Sequence, residues 1–180
     1  MRNAKKLSAS KLISDPNENR KNEATEYEYL LKDTAQCGID IQERPMVSSI
    51  KGLYGDGTIW INQSLQTTAE KACVLAEELG HYHTSSGDIL DQQDTVNRKQ
   101  ELRARRWAYQ RLIPLERLVD AYNARIKGRY ELADFLGVTE PFLQSALDQY
   151  RDKYGLFTMI GDRYIIYFEP LRVAEVFALR

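Results

Sequence analysis

Apolar positions are sparse and unpatterned over residues 1–23, which are rich in Lys, Asn, Ser and Asp. Such a segment cannot bury enough surface to offset the entropy of ordering, so a mobile tail is predicted. From Thr25 the pattern turns helical, carrying Tyr29 and Leu30 on to Cys37, with Gly38 as a C-terminal stop. Ile39 to Glu43 alternates up to Pro45 and predicts a short strand. Lys51–Tyr54 and Thr58–Asn62 flank Gly55-Asp56-Gly57, a turn that supplies positive φ, and predict a hairpin. Along its second arm Ile59 and Ile61 alternate with Trp60 and Asn62. One face is therefore expected to be buried and the other, with Trp60, to turn outward or toward a groove.

Thr67-Thr68-Ala69-Glu70 has the spacing of a capping box and starts a helix near Thr68. Ala69, Ala72, Cys73, Ala76 and Leu79 recur at helical spacing, and their small side chains let the helix lie close to a sheet. The polar run from Thr84 to Thr95, with Gly87, predicts a loop. A long helix is expected from about Asn97 through Leu112, interrupted at Pro114, and a further helical segment from Leu115 to about Ile126. After Gly128, residues 131–154 resemble a helix-turn-helix, with Ala133, Gly137, Leu143 and Leu147 at its packing positions. Phe157–Ile160 and Tyr164–Phe168 flank Gly161-Asp162 and predict a last hairpin. The organisation read from this pattern is a polar tail at 1–23, a core at 24–127 and a helical extension with a terminal hairpin at 128–180.

Length and composition add bounds. A chain of 180 residues with 43% hydrophobic side chains can bury one core. No run approaches the roughly 18 apolar residues that cross a bilayer, and the N-terminus lacks the apolar segment of a signal peptide. A cytoplasmic protein without a membrane partner is expected. Cys37 and Cys73 lie far apart with no CxxC spacing, so both are read as small core residues. A net charge of −1 excludes a globally basic nucleic-acid binder. Between Arg98 and Arg129, however, ten Lys or Arg face only three Asp or Glu.

Candidate chemistry centres on Ala76-Glu77-Glu78-Leu79-Gly80-His81-Tyr82-His83. It reads like the zinc-protease helix motif His-Glu-x-x-His with Glu77 in place of the first histidine. In that motif two ligands four residues apart share one helix face, and the acid after the first polarises the metal-bound water. Glu77 and His81 take the ligand positions and Glu78 the position of the base. Without further context, Glu77 and Glu78 read first as a solvated acidic pair on a helix. His83 sits about 200° round the axis from His81 and off the metal face, where a surface or supporting role is expected. Asp88 and Asp91 are weaker candidates. A third ligand is sought on a second helix, where Glu101 shares a face with Ala104 and Ala108, whose small side chains permit close approach.

These stretches together resemble the ImmA/IrrE family of metallopeptidases, found in mobile elements, prophages and stress-response systems. The resemblance covers roughly residues 26 to 114. It rests on Lys51–Tyr54 with Ile59–Asn62, on Ala76–His81, and on Glu101-x-x-Ala104-x-x-Trp107-Ala108 followed by Leu112-Ile113-Pro114. The family pattern there is Glu-x-x-Ala-Asn-x-Phe-Ala ending in Leu-Met-Pro, so Arg105 and Trp107 depart from it. The resemblance implies an α+β fold with a zincin-like core: a small twisted sheet packed on the motif helix and a second ligand-bearing helix. The helix-turn-helix-like segment and hairpin follow it. It implies a metal-dependent endopeptidase with Glu101 as third ligand and one divalent ion, zinc foremost and manganese as the alternative. It also implies a protein partner, a helix-turn-helix repressor of a phage or mobile element. Two carboxylates and one imidazole leave Zn²⁺ near neutral, where a His, His, Glu set leaves it at a net single positive charge. Such a centre acidifies water less and admits harder ions.

An extended substrate is expected to add to the hairpin edge, with Tyr54, Trp60 and Tyr82 as binding residues. Two other readings stay open: a non-catalytic anti-repressor that binds the regulator uncut, and a DNA-binding regulator using residues 129–150. The second is disfavoured, because the would-be recognition helix opens Glu140-Pro141 and carries Asp148 and Asp152, which repel phosphate. Residues 128–154 are expected to act as a scaffold or in substrate docking, and Arg103, Arg105 and Arg106 to pair with nearby acids.

Overall fold

The structure, a computed structural model, describes residues 24–84 and 94–176. The predicted tail, most of the loop after Thr84, and Asp88 and Asp91 lie outside the described residues. The first helix, α1 (Glu26–Gln36), begins at Thr25 with a complete capping box: Thr25 accepts from the Glu28 amide while Glu28 accepts from the Thr25 amide. Gly38, at φ 69°, turns the chain into β1 (Asp40–Arg44). Cys37 caps the helix C-terminus and is exposed, so the expectation that it fills the core is wrong. Its position is set by its backbone, whose N–H reaches back to the Asp33 carbonyl.

The hairpin forms as expected from β2 (Gly52–Gly55) and β3 (Thr58–Asn62), with Asp56 and Gly57 at φ 49° and 72°. β3 is central: β1 pairs with it in parallel and β2 antiparallel, so that among the described residues no strand pairs with the other edge of β2. Ile59 and Ile61 are fully buried. Asn62 departs from the alternation, being 2% exposed. Its amide nitrogen donates to the carbonyls of Met46, Val47 and Ile50, at 3.2, 3.2 and 2.7 Å, and so pins the segment before β2. Burial is affordable because those three acceptors replace water.

The motif helix α2 (Thr68–Thr84) starts at its predicted capping box, with Glu70 accepting from the Thr67 and Gln66 amides. It packs on the sheet so closely that a Cβ on Gly52 would lie 2.5 Å from Val74 Cγ1 and 2.7 Å from Glu78 Oε1. On its other side runs α3 (Asp94–Leu112), which begins three residues before the expected Asn97. There a Cβ on Gly80 would come within 2.3 Å of the Ala104 carbonyl oxygen, so only glycine permits this backbone-to-backbone contact.

Pro114 ends α3 and opens α4 (Leu115–Asn123). The buried Tyr150 hydroxyl donates to the Ile113 carbonyl at 2.7 Å, satisfying an acceptor that α3 leaves free at its end. α5 (Arg129–Leu136) and α6 (Glu140–Tyr154) form the helix-turn-helix-like pair, joined through Gly137 in the left-handed region and Thr139 as N-cap. The C-terminal hairpin, β4 (Phe157–Ile160) and β5 (Tyr164–Phe168), gains an unanticipated third strand, β6 (Leu171–Glu175). One apolar cluster runs from Leu30 through Leu75, Leu112 and Leu143 to Ile166 and Phe168. No helix among the described residues is long and apolar enough to cross a membrane. The fold is mixed α+β.

Candidate functional site

Glu77, Glu78 and His81 project from α2 at positions i, i+1 and i+4, and Glu101 projects from α3. The Gly80–Ala104 contact draws the two helices together at that level, and His81 Nε2 lies 3.3 Å from Glu101 Oε2. The other oxygen of Glu101 accepts from Arg105 Nη2 at 2.9 Å, one helical turn on. Arg105 therefore pairs with a nearby acid, as expected, and does so inside the candidate site. Arg111 and Arg117 likewise pair with Asp33 and Glu26, which withdraws part of the basic surplus from any phosphate contact.

Glu77 is half-buried, and no described residue donates a hydrogen bond to its carboxylate. Burial raises its pKa above the usual carboxylate range and the Glu101 charge adds to this, while Arg105 and Lys51 oppose it. Glu78 sits between α2 and β2, beneath Gly52. Its pKa is pushed up to about 7, by burial first and then by the Glu77 and Glu101 charges, against a hydrogen bond from the Tyr54 backbone.

Of the residues expected to bind substrate, Tyr54 and Tyr82 meet edge to face with ring centroids 5.7 Å apart. Tyr54 pairs across the hairpin with buried Ile59 and so shares the sheet face that looks toward α2. Trp60 pairs with Leu53 on the opposite face, under the Arg44 guanidinium at 4.6 Å, and the structure does not bring it to the carboxylates. α2 stays helical through Thr84, so His83 turns away and stacks on Trp107 with ring centroids 4.7 Å apart. Cys73, buried below Glu77, bonds Thr139, and burial lifts its thiol to about 11.

The sequence reading missed Gly52 and Gly80, which set the distances between the parts; an interior glycine signals a close approach, but not which element approaches. Arg105 was visible only as an i, i+4 partner of Glu101.

Among the described residues, no three His, Cys, Asp or Glu side chains already close on one point. The donor chemistry nonetheless fits a divalent ion. His81 and Glu101 adjoin, and Glu77 holds a carboxylate with no hydrogen-bond donor one turn away.

The family comparison decides the class. Residues 34–148 match the IrrE N-terminal-like domain of the peptidase M78 family. The chain belongs to that family. The match includes the sheet, both helices bearing the cluster, and most of the α5–α6 pair. Membership makes this a metallopeptidase-like domain with a zincin-like α+β fold. The family implies a divalent metal, usually zinc, and a protein substrate. No curated protein matches the chain.

Proposed function

We propose that the protein is a metal-dependent endopeptidase in which Glu77, His81 and Glu101 hold the ion and Glu78 is the general base. Its substrate is a helix-turn-helix repressor of a prophage or mobile element, met in the cytoplasm. The observation that carries this reading is the convergence of His81 and Glu101 at 3.3 Å beside Glu78, at the open edge of β2. Glu77 takes the first ligand position in place of histidine.

A bound divalent ion would supply Lewis-acid activation of water and of the scissile carbonyl. Glu78 takes a proton from the attacking water at a carboxylate oxygen and passes it to the leaving amine as the C–N bond breaks. The β2 edge orients an extended segment by strand addition, with Tyr54 and Tyr82 alongside.

The non-catalytic anti-repressor has one observation in its favour: Arg105 supplies a cation to Glu101 from within the chain. Incubating the protein and a candidate repressor with and without chelator separates the two. A new fragment that disappears with chelator or with Glu78→Gln supports the peptidase, and an intact complex under all conditions supports the binder. Salt-dependent retention on duplex DNA instead would favour the regulator.

A further inference from the structure

The C-terminal sheet lies beyond the residues matched by the family, and its two edges differ. Its order is β4-β5-β6, and among the described residues no strand pairs with the outer edge of β4 or of β6. β6 follows Pro170 and carries Arg172 and Glu175, which guard an edge against other strands. β4 has no such guard: Leu156-Phe157-Thr158-Met159-Ile160 holds no charge and no proline. Leu156, Phe157 and Met159 are 68%, 53% and 51% exposed, so most of this stretch is bare apolar surface.

The pairing within the sheet fixes which groups face outward. The Phe168 amide donates to the Leu156 carbonyl at 3.0 Å, which makes that a hydrogen-bonded pair, whereas Phe157 with Tyr167 and Met159 with Ile165 are not. The amides and carbonyls of Phe157 and Met159 therefore point away from β5, to the open edge. Their side chains share the outer face of the sheet with Ile165 and Tyr167, the Phe157 and Tyr167 rings lying 5.8 Å apart. A two-fold axis through Thr158 would set Phe157 of one copy opposite Met159 of the other, twice over, and join both pairs by reciprocal backbone hydrogen bonds. Leu156 would then face Ile160 of the second copy, and the two Thr158 side chains would meet.

We propose that β4 is a dimerisation edge, at which a second copy of this chain adds its own β4 in antiparallel order to make one continuous sheet. Charge favours a like partner. Residues 151–176 hold four Lys or Arg against four Asp or Glu. Arg151 is tied to Glu169 and Arg163 to Glu175 within the chain, so two copies meet without net repulsion and a nucleic acid finds no basic surface. The exposed parts of Leu156, Phe157 and Met159, with the edge backbone, come to roughly 500 Å² per copy, or about 1,000 Å² per pair. That is the lower bound of a specific interface, which makes the dimer a reversible one.

Sedimentation velocity of the full chain, run from low to high micromolar concentration, should show a monomer–dimer equilibrium. Met159→Lys should weaken it by roughly a hundredfold, because the two-fold axis places the change at two points of contact. Met159→Pro removes an N–H that the fold does not use and should do the same. Circular dichroism melting confirms that each variant is folded. Mixing Phe157→Cys chains with Met159→Cys chains, both in a Cys37→Ser background, reads the register. Opposite residues stand about 5.5 Å apart, within the span of a disulfide, and like positions about 9 Å apart, beyond it. The mixture should therefore cross-link and either variant alone should not. A chain that stays monomeric leaves the edge to some other partner, and a dimer that survives both Met159 variants uses another surface; either result overturns the proposal. Cross-linking of the single variants as fast as the mixture overturns the register and the edge pairing with it.

Discussion

His81 and Glu101 meet at 3.3 Å because Gly80, next to His81, lies against the backbone of Ala104. The ligand geometry is therefore a property of a helix contact as much as of the side chains. Gly80→Ala places a methyl 2.3 Å from a carbonyl oxygen, and backbone cannot swing aside as a flexible side chain does. The substitution should cost about 1–3 kcal/mol in denaturant unfolding and part the two ligands, weakening zinc binding in calorimetry. Unchanged stability would mean the helices separate freely and the contact sets nothing.

Removal of a ligand and removal of the base should have different signatures. Glu101→Ala is expected to weaken zinc binding by more than roughly a hundredfold, beyond the loss typical of an outer-shell partner. Glu78→Gln should bind zinc nearly as the parent does and cleave nothing. Equal zinc affinity across all three proteins would remove Glu101 from the ligand set.

The raised pKa values of Glu77 and Glu78 predict a pH dependence of stability in the metal-free protein. A carboxyl whose folded pKa is raised binds its proton more tightly in the folded chain than in the unfolded one. Its contribution is therefore most favourable below the usual 4.5 and is lost as pH rises to about 7, the value for Glu78. Across that window the parent should lose stability relative to Glu78→Gln, on the order of 2–3 kcal/mol by urea unfolding in chelator. Parallel pH profiles for the two proteins would show that Glu78 is not held in this environment.

Arg105 both pairs with Glu101 and bears on Glu77, so it competes with any bound cation. Arg105→Ala should tighten zinc binding by roughly twofold to fivefold, the range of an exposed ion pair. Weaker binding in the variant would instead make Arg105 a support that orients Glu101.

Legibility followed the locality of the physics. The cap Thr67–Glu70, the stop at Gly38 and the turn at Asp56-Gly57 are encoded within four residues, and each lies where the pattern puts it. The i, i+4 relation of Glu77 and His81 is local as well. The partners of Asn62 lie 12 to 16 residues away, so alternation placed the residue on the correct face but could not show that the segment before β2 covers it. β6 follows Glu169-Pro170, a turn without the Gly, Asn or Asp that marked the other hairpins. Trp60 was grouped with Tyr54 as flanking the hairpin edge, yet it pairs with Leu53 and so lies on the face opposite the Tyr54–Ile59 pair. Gly80 and Gly52 act through what they omit, and an omission shows only when the neighbouring element is in place.

The free edge of β2 also bears on how the chain avoids sticking to itself. Unpaired backbone groups will accept any extended strand, including one from another copy or from an unfolding neighbour. β2 is only four residues long and has glycine at both ends, so the backbone alone offers few bonds and little side-chain grip. Lasting capture then requires a segment that satisfies the edge and the surrounding side chains together, which protects the protein from indiscriminate aggregation at the surface it needs to keep open.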